Sequence, residues 1–461
     1  MRQLQFAVLV LTSLLLLATP AASQTTAGAG PAIPRVRESN NPDERPAQEL
    51  YEDANGYLGR KYAEFNKQKL AYDSKLETKT KQEQKELALA NAATLARRKN
   101  LSEDDLYYLG MLRHLVGDAE ATLNVMRRYL AKNSRGEKSQ VARAVVMLHE
   151  TRSNLLSEAE TTVATYRKNE PIDFNELFGM EALLTEAFKK ANDYSRMEEH
   201  ARGMLEVAHN EKAAQKVGVL QRDERLFKAA TQLAEALIKT DRRDEALTTL
   251  RDLLKHSIAL PSGNLYKMAR ARLAGLDPGT DSLKLFAGKR LETAVTPEIV
   301  AAQWIDQQPV TLADLRGQVV LLDFWAHWCG PCHYVFPKLQ RWHESYKDKG
   351  LVILGMTNYF GHANGRSANT AEELAYLRDF KKRNRLPYGF VVSDSAKNDF
   401  NYGVSSIPMS FLIDRNGNVR FIAVGANEVE ITALGKKIKE LIEEPSSSSA
   451  AATPVSKGQQ R

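Results

Sequence analysis

Two cysteines separated by two residues, Cys329 and Cys332, are the whole thiol content of this 461-residue sequence. A disulfide between them closes so small a loop that its chain-entropy contribution is minor, so a structural role explains the pair poorly. Secreted domains that depend on disulfides carry several spaced pairs instead. The spacing therefore favours a redox-active dithiol.

The neighbouring sequence predicts how the two thiols are positioned. An apolar run, residues 319–325, predicts a buried β-strand before the cysteines, and a helical pattern continues after them to about Tyr346. A thiolate at a helix start faces unpaired backbone N–H groups and the positive end of the helix dipole, which stabilise it. We therefore expect Cys329, the first and more exposed thiol, to be the nucleophile. Cys332, one turn further, then attacks the mixed disulfide and releases the product.

The same residues allow two other chemistries. A structural zinc site needs about four ligands, and in the absence of a second cysteine pair only the nearby His327 and His333 remain to complete it. Residues 329–333 also match CxxCH, the pattern of covalent haem attachment in c-type cytochromes. The preceding strand and the following strand–helix units favour the redox dithiol, with no metal and no cofactor. Haem attachment stays a minor alternative.

A specific family resemblance follows from these residues. Residues 321–332, LLDFWAHWCGPC, resemble the active-site signature of thioredoxins. Residues 310–317 and 402–408 resemble the exported TlpA/ResA branch of redoxins. The resemblance covers about residues 290–444 and implies a thioredoxin fold with thiol-disulfide oxidoreductase activity.

The resemblance also implies roles for individual residues. Asp323 matches the buried carboxylate that assists proton transfer to and from Cys332, and burial there should raise its pKa. Pro408 matches the cis-proline beside the disulfide, where the preceding Ile407 offers backbone hydrogen bonds to an extended substrate chain. Trp328 matches the aromatic residue that flanks the nucleophile.

One position departs from the pattern of this branch. Many TlpA/ResA-like proteins have a Glu three residues after the second cysteine, where this chain has Val335. The difference weakens the transfer of a cytochrome-maturation role. The Gly330–Pro331 dipeptide resembles that of reducing thioredoxins. We therefore expect a potential nearer about −270 mV than the about −120 mV of a strong oxidant.

Composition divides the rest of the chain into further segments. Residues 1–23 have the positive start, apolar core and small-residue cleavage site of a secretory signal peptide, with an uncleaved anchor as the alternative. Residues 24–47 predict a disordered linker and residues 445–461 a disordered tail. Residues 48–276 show helical spacing of apolar residues, and residues 284–444 alternate strands with helices. We expect a periplasmic or otherwise extracytoplasmic protein.

The helical segment contains stretches that resemble tetratricopeptide helix pairs. Its alanine-centred second helices, at Ala121, Ala159, Ala201 and Ala246, are 38, 42 and 45 residues apart. A regular array keeps a period near about 34 residues. We expect a degenerate, TPR-like helical-repeat domain whose concave surface binds a protein partner, and the alternative is an irregular bundle without a ligand.

The combined prediction is an all-α helical-repeat domain followed by an α/β thioredoxin-fold domain. The chain is expected to reduce or exchange disulfides of exported proteins, with a membrane thiol as its electron donor. The alternative function is a helical protein-binding module with an accessory redox-sensing domain. A net charge of +7 without a basic stripe among aromatics argues against nucleic-acid binding.

Overall fold

A computed structural model describes residues 44–210, 217–279 and 296–444. The predicted signal peptide, the tail and most of the linker lie outside these residues. The chain divides into two compact units, of which the first ends at Asn192 and the second begins at Asp193. Within the described ranges, no helix is both long enough and apolar enough to cross a membrane.

Helices alone precede the first strand in the described part of the chain, which confirms the predicted all-α first part. A tetratricopeptide-like repeat within it stays a prediction. The helices are α1 Ala47–Asn55, α2 Tyr57–Lys67, α3 Ser74–Ala96, α4 Glu103–Val116, α5 Ala119–Lys132, α6 Glu137–Arg152, α7 Leu156–Arg167, α8 Phe174–Lys190, α9 Tyr194–His209, α10 Val219–Lys239, α11 Arg243–Ala259 and α12 Gly263–Leu276.

The connection between α4 and α5 shows how the sequence builds a helix hairpin. Helix α4 is followed by Gly117 at φ 83°, in the left-handed region that favours glycine. Asp118 then caps α5 by accepting a hydrogen bond from the Ala121 N–H. A Cβ on Gly110 would come within 2.7 Å of the Met126 Sδ, so the two helices pack closely at a glycine.

The second unit contains the sheet that carries the cysteines. Its strands are β1 Gln303–Ile305, β2 Val319–Phe324, β3 Leu351–Asn358, β4 His362–Ala363, β5 Arg366–Ser367, β6 Gly389–Ser393, β7 Met409–Ile413 and β8 Val419–Val424. Six of them pair in the order β1-β6-β3-β2-β7-β8, in which β2, β3 and β6 are parallel and β1, β7 and β8 pair antiparallel with their neighbours. Strands β4 and β5 form a separate hairpin. Helices α13 Gly330–Tyr346, α14 Thr370–Arg383, α15 Lys397–Asn401 and α16 Glu428–Glu443 complete the predicted α/β fold.

Strand β2 is buried along its whole length, so both faces of the sheet are covered near the cysteines. On one face, Leu321 packs in a core with residues of α13, α14 and α16. On the other side, helices α11 and α12 pack against β8. Gly263 of α12 lies so close to Met409 of β7 that a Cβ there would clash with its sulfur. The last helices of the helical segment therefore cover part of the sheet in this unit.

Candidate redox site

The redox pair lies at the start of α13, directly after β2 and a short turn. Cys329 is the N-cap residue, and its Sγ accepts a hydrogen bond from the Cys332 N–H at 3.2 Å. The two cysteines form a disulfide with their Cα atoms 5.3 Å apart. Cys329 is 5% exposed and Cys332 is 1% exposed, so an incoming group meets the first sulfur more readily. This arrangement suits a nucleophile followed by a resolving thiol.

Asp323 lies on β2, opposite Ser410 of β7. Ser410 Oγ donates a hydrogen bond of 2.7 Å to Asp323 Oδ1. Burial raises the pKa of Asp323 to about 7, while the Ser410 hydrogen bond acts in the opposite direction. Because side chains alternate along a strand, Asp323 shares a sheet face with Leu321, which packs in the core that contains both cysteines. Its carboxyl is suited to proton transfer near neutral pH.

Sequence reasoning missed two residues near Asp323, Ser410 and Tyr388. The sequence could have indicated Ser410, because it is a hydroxyl residue in the otherwise apolar segment 409–413. Nothing in the sequence indicated Tyr388, since it directly precedes β6 and does not differ from other aromatic residues of the core. Burial and the charge of Asp323 raise the pKa of Tyr388, and its hydroxyl has no hydrogen-bond partner within the described ranges. Burial favours the neutral form of Asp323, and the Ser410 hydrogen bond opposes this effect.

The loop before β7 holds the residues predicted to bind substrate. The peptide bond between Ile407 and Pro408 is cis. The Pro408 carbonyl accepts a hydrogen bond from the Gly425 N–H at 2.9 Å. Ile407 is partly buried and packs against the core that contains Cys329 and Cys332. The fold thus brings Ile407 to the core in which the redox pair lies.

A pocket of about 270 Å³ is lined by Trp328, the residue before Cys329, and by Ile407 among other residues. Trp328 is 54% exposed, which leaves its indole available to a bound molecule. Asn358 and Asp399 contribute polar groups to the lining, and Asn358 Nδ2 donates to Asp399 Oδ2 at 2.6 Å. Burial raises the pKa of Asp399. The pocket therefore combines apolar walls with polar groups.

Comparison with known proteins identifies this part of the chain. Residues 292–438 match the redoxin family. They form a redoxin domain. The thiol-disulfide oxidoreductase ResA of Geobacillus kaustophilus is 33% identical over 116 residues, which are 25% of this chain and 59% of ResA. Protein DipZ of Mycobacterium bovis is 31% identical over 128 residues, which are 27% of this chain and 17% of DipZ.

The redoxin domain is therefore ResA-like with a thioredoxin fold. The chain spans less than two thirds of the length of this Geobacillus ResA and of this DipZ. Among solved structures, StoA from Bacillus subtilis is 21% identical with a TM-score of 0.26, and the match covers 31% of this chain and 98% of StoA. The Cys329–Cys332 disulfide lies within the residues that match the redoxin family.

Two histidines flank the redox pair of the redoxin domain. His327 is buried, and burial lowers its pKa. Its Nε2 lies 3.8 Å from Glu373 Oε1, and its carbonyl oxygen lies 3.0 Å from His333 Nε2. Because His327 favours the neutral form, it adds little charge beside the disulfide. In the described parts of the chain, no group of three or more His, Cys, Asp or Glu is placed to hold a metal ion.

Val335 lies one turn after Cys332 on α13. It is 1% exposed and packs in the core that contains both cysteines. The position where many TlpA/ResA-like proteins have a Glu is therefore apolar and closed to solvent here. Asp323 is left as the candidate for proton transfer on the core side of the disulfide.

Proposed function

We propose that this chain is an extracytoplasmic thiol-disulfide oxidoreductase that reduces or exchanges disulfides of exported proteins. The observation that carries the proposal is the Cys329–Cys332 disulfide, at a helix N-terminus within a redoxin domain. The signal-like sequence of residues 1–23 supports the location outside the cytoplasm.

The first step uses the reduced protein. The Cys329 thiolate attacks one sulfur of a substrate disulfide, so a Cys329–substrate bond forms, the substrate S–S bond breaks, and the leaving thiolate takes up a proton. The Cys332 N–H, which donates to Cys329 Sγ at 3.2 Å, and the start of α13 stabilise the attacking thiolate.

The second step releases the product. Asp323 accepts the proton of Cys332, and the resulting thiolate attacks Cys329 Sγ. The Cys329–Cys332 disulfide forms, the mixed disulfide breaks, and the second substrate sulfur leaves as a thiolate that is protonated. Two electrons have then moved from the protein dithiol to the substrate. A thiol donor, which we expect in the membrane, returns them.

Substrate polypeptide binds along the loop before β7. The backbone of Ile407 pairs with an extended substrate segment, and a substrate side chain enters the pocket beside Trp328. Direct contact with Trp328, which is half exposed, keeps the substrate disulfide near Cys329.

The test is reduction of insulin by the full chain with dithiothreitol as the electron source. We expect the protein to accelerate precipitation of the insulin B chain, and we expect Cys329→Ser to abolish the acceleration. Ser367→Ala, at an exposed position of the β4–β5 hairpin, is the control and should match the unaltered protein. Acceleration that persists in Cys329→Ser would refute the proposed function.

A further inference from the structure

Helix α12 begins beside the loop that leads to the cis-proline. The N–H groups of Gly263 and Asn264 donate hydrogen bonds to the carbonyls of Tyr402 and Gly403, at 2.9 and 2.6 Å. N–H groups in the first turn of a helix have no partner within their own helix. The loop satisfies two of them here, so the start of α12 fixes the backbone of the loop.

Two buried polar residues fix the start of α12 in turn. Ser262 Oγ accepts a hydrogen bond from the Leu265 N–H at 3.2 Å and donates one to the Asp223 carboxylate of α10. Arg222 Nη2 lies 2.8 Å from the same carboxylate. Gly403 has φ +55°, and a Cβ there would come within 2.6 Å of Ser262 Oγ. The loop can therefore approach Ser262 only at a glycine.

Helix α12 also contacts residues on both sides of the cis peptide bond. Lys267 Nζ donates to Ser406 Oγ at 3.2 Å, one residue before Ile407. After the proline, Met409 is close enough to Gly263 that an added Cβ would lie 2.0 Å from its Sδ. The helix thus contacts the chain on either side of the residues that receive substrate.

A second contact reaches Pro408 through α16. Arg270 of α12 forms a close ion pair with Glu430, which is fully buried. Glu430 Oε2 accepts a hydrogen bond from the Val424 N–H at 3.2 Å. The next residue, Gly425, donates to the Pro408 carbonyl at 2.9 Å. Removing the Arg270 charge leaves the buried Glu430 carboxylate without this partner, beside the end of β8 and the Gly425–Pro408 hydrogen bond that follows it.

We propose that α12 positions the substrate-binding loop of the redox site, with Lys267 and Arg270 as positioning residues. The inference rests on the proposed function and extends it, because it assigns the end of the helical segment to recognition of peptide disulfides. The chemistry of Cys329 and Cys332 does not depend on these contacts. Loss of a positioning residue therefore raises KM for a peptide disulfide and leaves the reactivity of the dithiol unchanged.

The experiment compares four variants of the full chain. Arg270→Ala removes the ion pair and Arg270→Lys keeps the charge. Lys267→Ala changes an exposed side chain, and Arg272→Ala, at an exposed position of the same helix, is the matched control. For each variant we measure KM and kcat for insulin, the reaction rate of the reduced protein with the small disulfide DTNB, and the redox potential. Thermal unfolding checks that each variant is folded.

We expect Arg270→Ala to raise KM for insulin by about fivefold or more, and Lys267→Ala to raise it less, since an exposed contact contributes less than a buried one. Arg270→Lys should recover part of the loss. The DTNB rate, the potential and the behaviour of Arg272→Ala should match the unaltered protein.

Three results overturn the inference. One is an unchanged KM in folded Arg270→Ala and Lys267→Ala. Another is a parallel fall of the insulin and DTNB rates, which indicates general damage. The third applies if Arg270→Ala does not fold: an unchanged KM for insulin in Lys267→Ala then overturns the inference by itself. Absence of insulin reduction by the unaltered protein refutes the proposed function itself, which separates that failure from failure of the positioning role.

Discussion

At the scale of single residues, Asp323 shows how the sheet sets the chemistry of a carboxyl. It is 1% exposed, with Ser410 as its hydrogen-bond donor. Burial raises its pKa to about 7 from an ordinary value of 3.8. Between these two pH values the folded protein binds more protons than the unfolded chain, so the free energy of unfolding falls as the pH rises through this range.

Asp323→Asn should therefore stabilise the protein at pH above about 7, because it removes a charge that is costly to bury. We expect the melting temperature at about pH 8 to rise by a few degrees, and the gain to shrink as the pH is lowered toward about 4. Thermal unfolding across this pH range measures the effect. A gain of equal size at every pH would show that Asp323 does not titrate as described.

The same substitution should slow the second chemical step, because Cys332 then lacks a base. We expect release of product from the mixed disulfide to fall by about 100-fold near neutral pH. Single-turnover kinetics with the reduced protein measure this release.

Ser410→Ala is the matched variant, since it keeps the carboxyl and removes the hydrogen bond that lowers the pKa of Asp323. Without this hydrogen bond the pKa of Asp323 is higher. The pH at which product release by Ser410→Ala becomes fast should therefore be higher than in the unaltered protein. Identical profiles in Ser410→Ala and the unaltered protein would contradict the role of Asp323 as the base.

At the scale of elements, the sequence predicts those strands whose apolar runs are continuous. Residues 319–325 form an apolar run that predicts a strand, and the structure has β2 there. Strand β1 was missed because it has three residues, of which Ile305 alone is buried. The β4–β5 hairpin was missed because neither strand has a buried residue to produce a pattern. Short strands depend on their partners, which a local pattern does not contain.

The contact between α12 and β7 gives a prediction at this scale. Gly263→Ala should destabilise the protein by about 1–3 kcal/mol, because its Cβ would overlap Met409 Sδ. Gly275→Ala on the same helix is the control. Its added Cβ would meet no atom within 4 Å beyond the backbone of its own helix and its chain neighbours, so the change should stabilise the helix by about 0.5–1 kcal/mol. Urea unfolding gives both values. An unchanged or increased stability of Gly263→Ala would refute close packing at Gly263.

At the scale of the whole molecule, the sequence pattern and the compact units change at different residues. The pattern changes from helical to alternating after residues 277–279, where α12 has ended. The second compact unit nevertheless begins at Asp193 and includes α9–α12. Apolar spacing identifies the type of each element, whereas the partner of an amphipathic face depends on contacts between distant residues. The sequence therefore could not predict that α11 and α12 cover the sheet.

This arrangement predicts the behaviour of fragments. A fragment of residues 193–461 should unfold cooperatively, whereas one of residues 284–461 should be less stable, because Met409 and Phe411 lose their cover from α12. Thermal unfolding and binding of the dye ANS compare them. Equal melting temperatures and equal dye binding would show that α9–α12 contribute nothing to the stability of the redoxin domain.

The central claim is that Cys329 attacks a substrate disulfide and Cys332 resolves the product. Trapping tests it most directly, by incubating the full-length Cys332→Ser variant with insulin and locating the adduct by mass spectrometry of its peptides. The account predicts an insulin chain linked to Cys329 and released by dithiothreitol, with little or no adduct in Cys329→Ser. Equal trapping by both variants, or trapping by Cys332 alone, would contradict it.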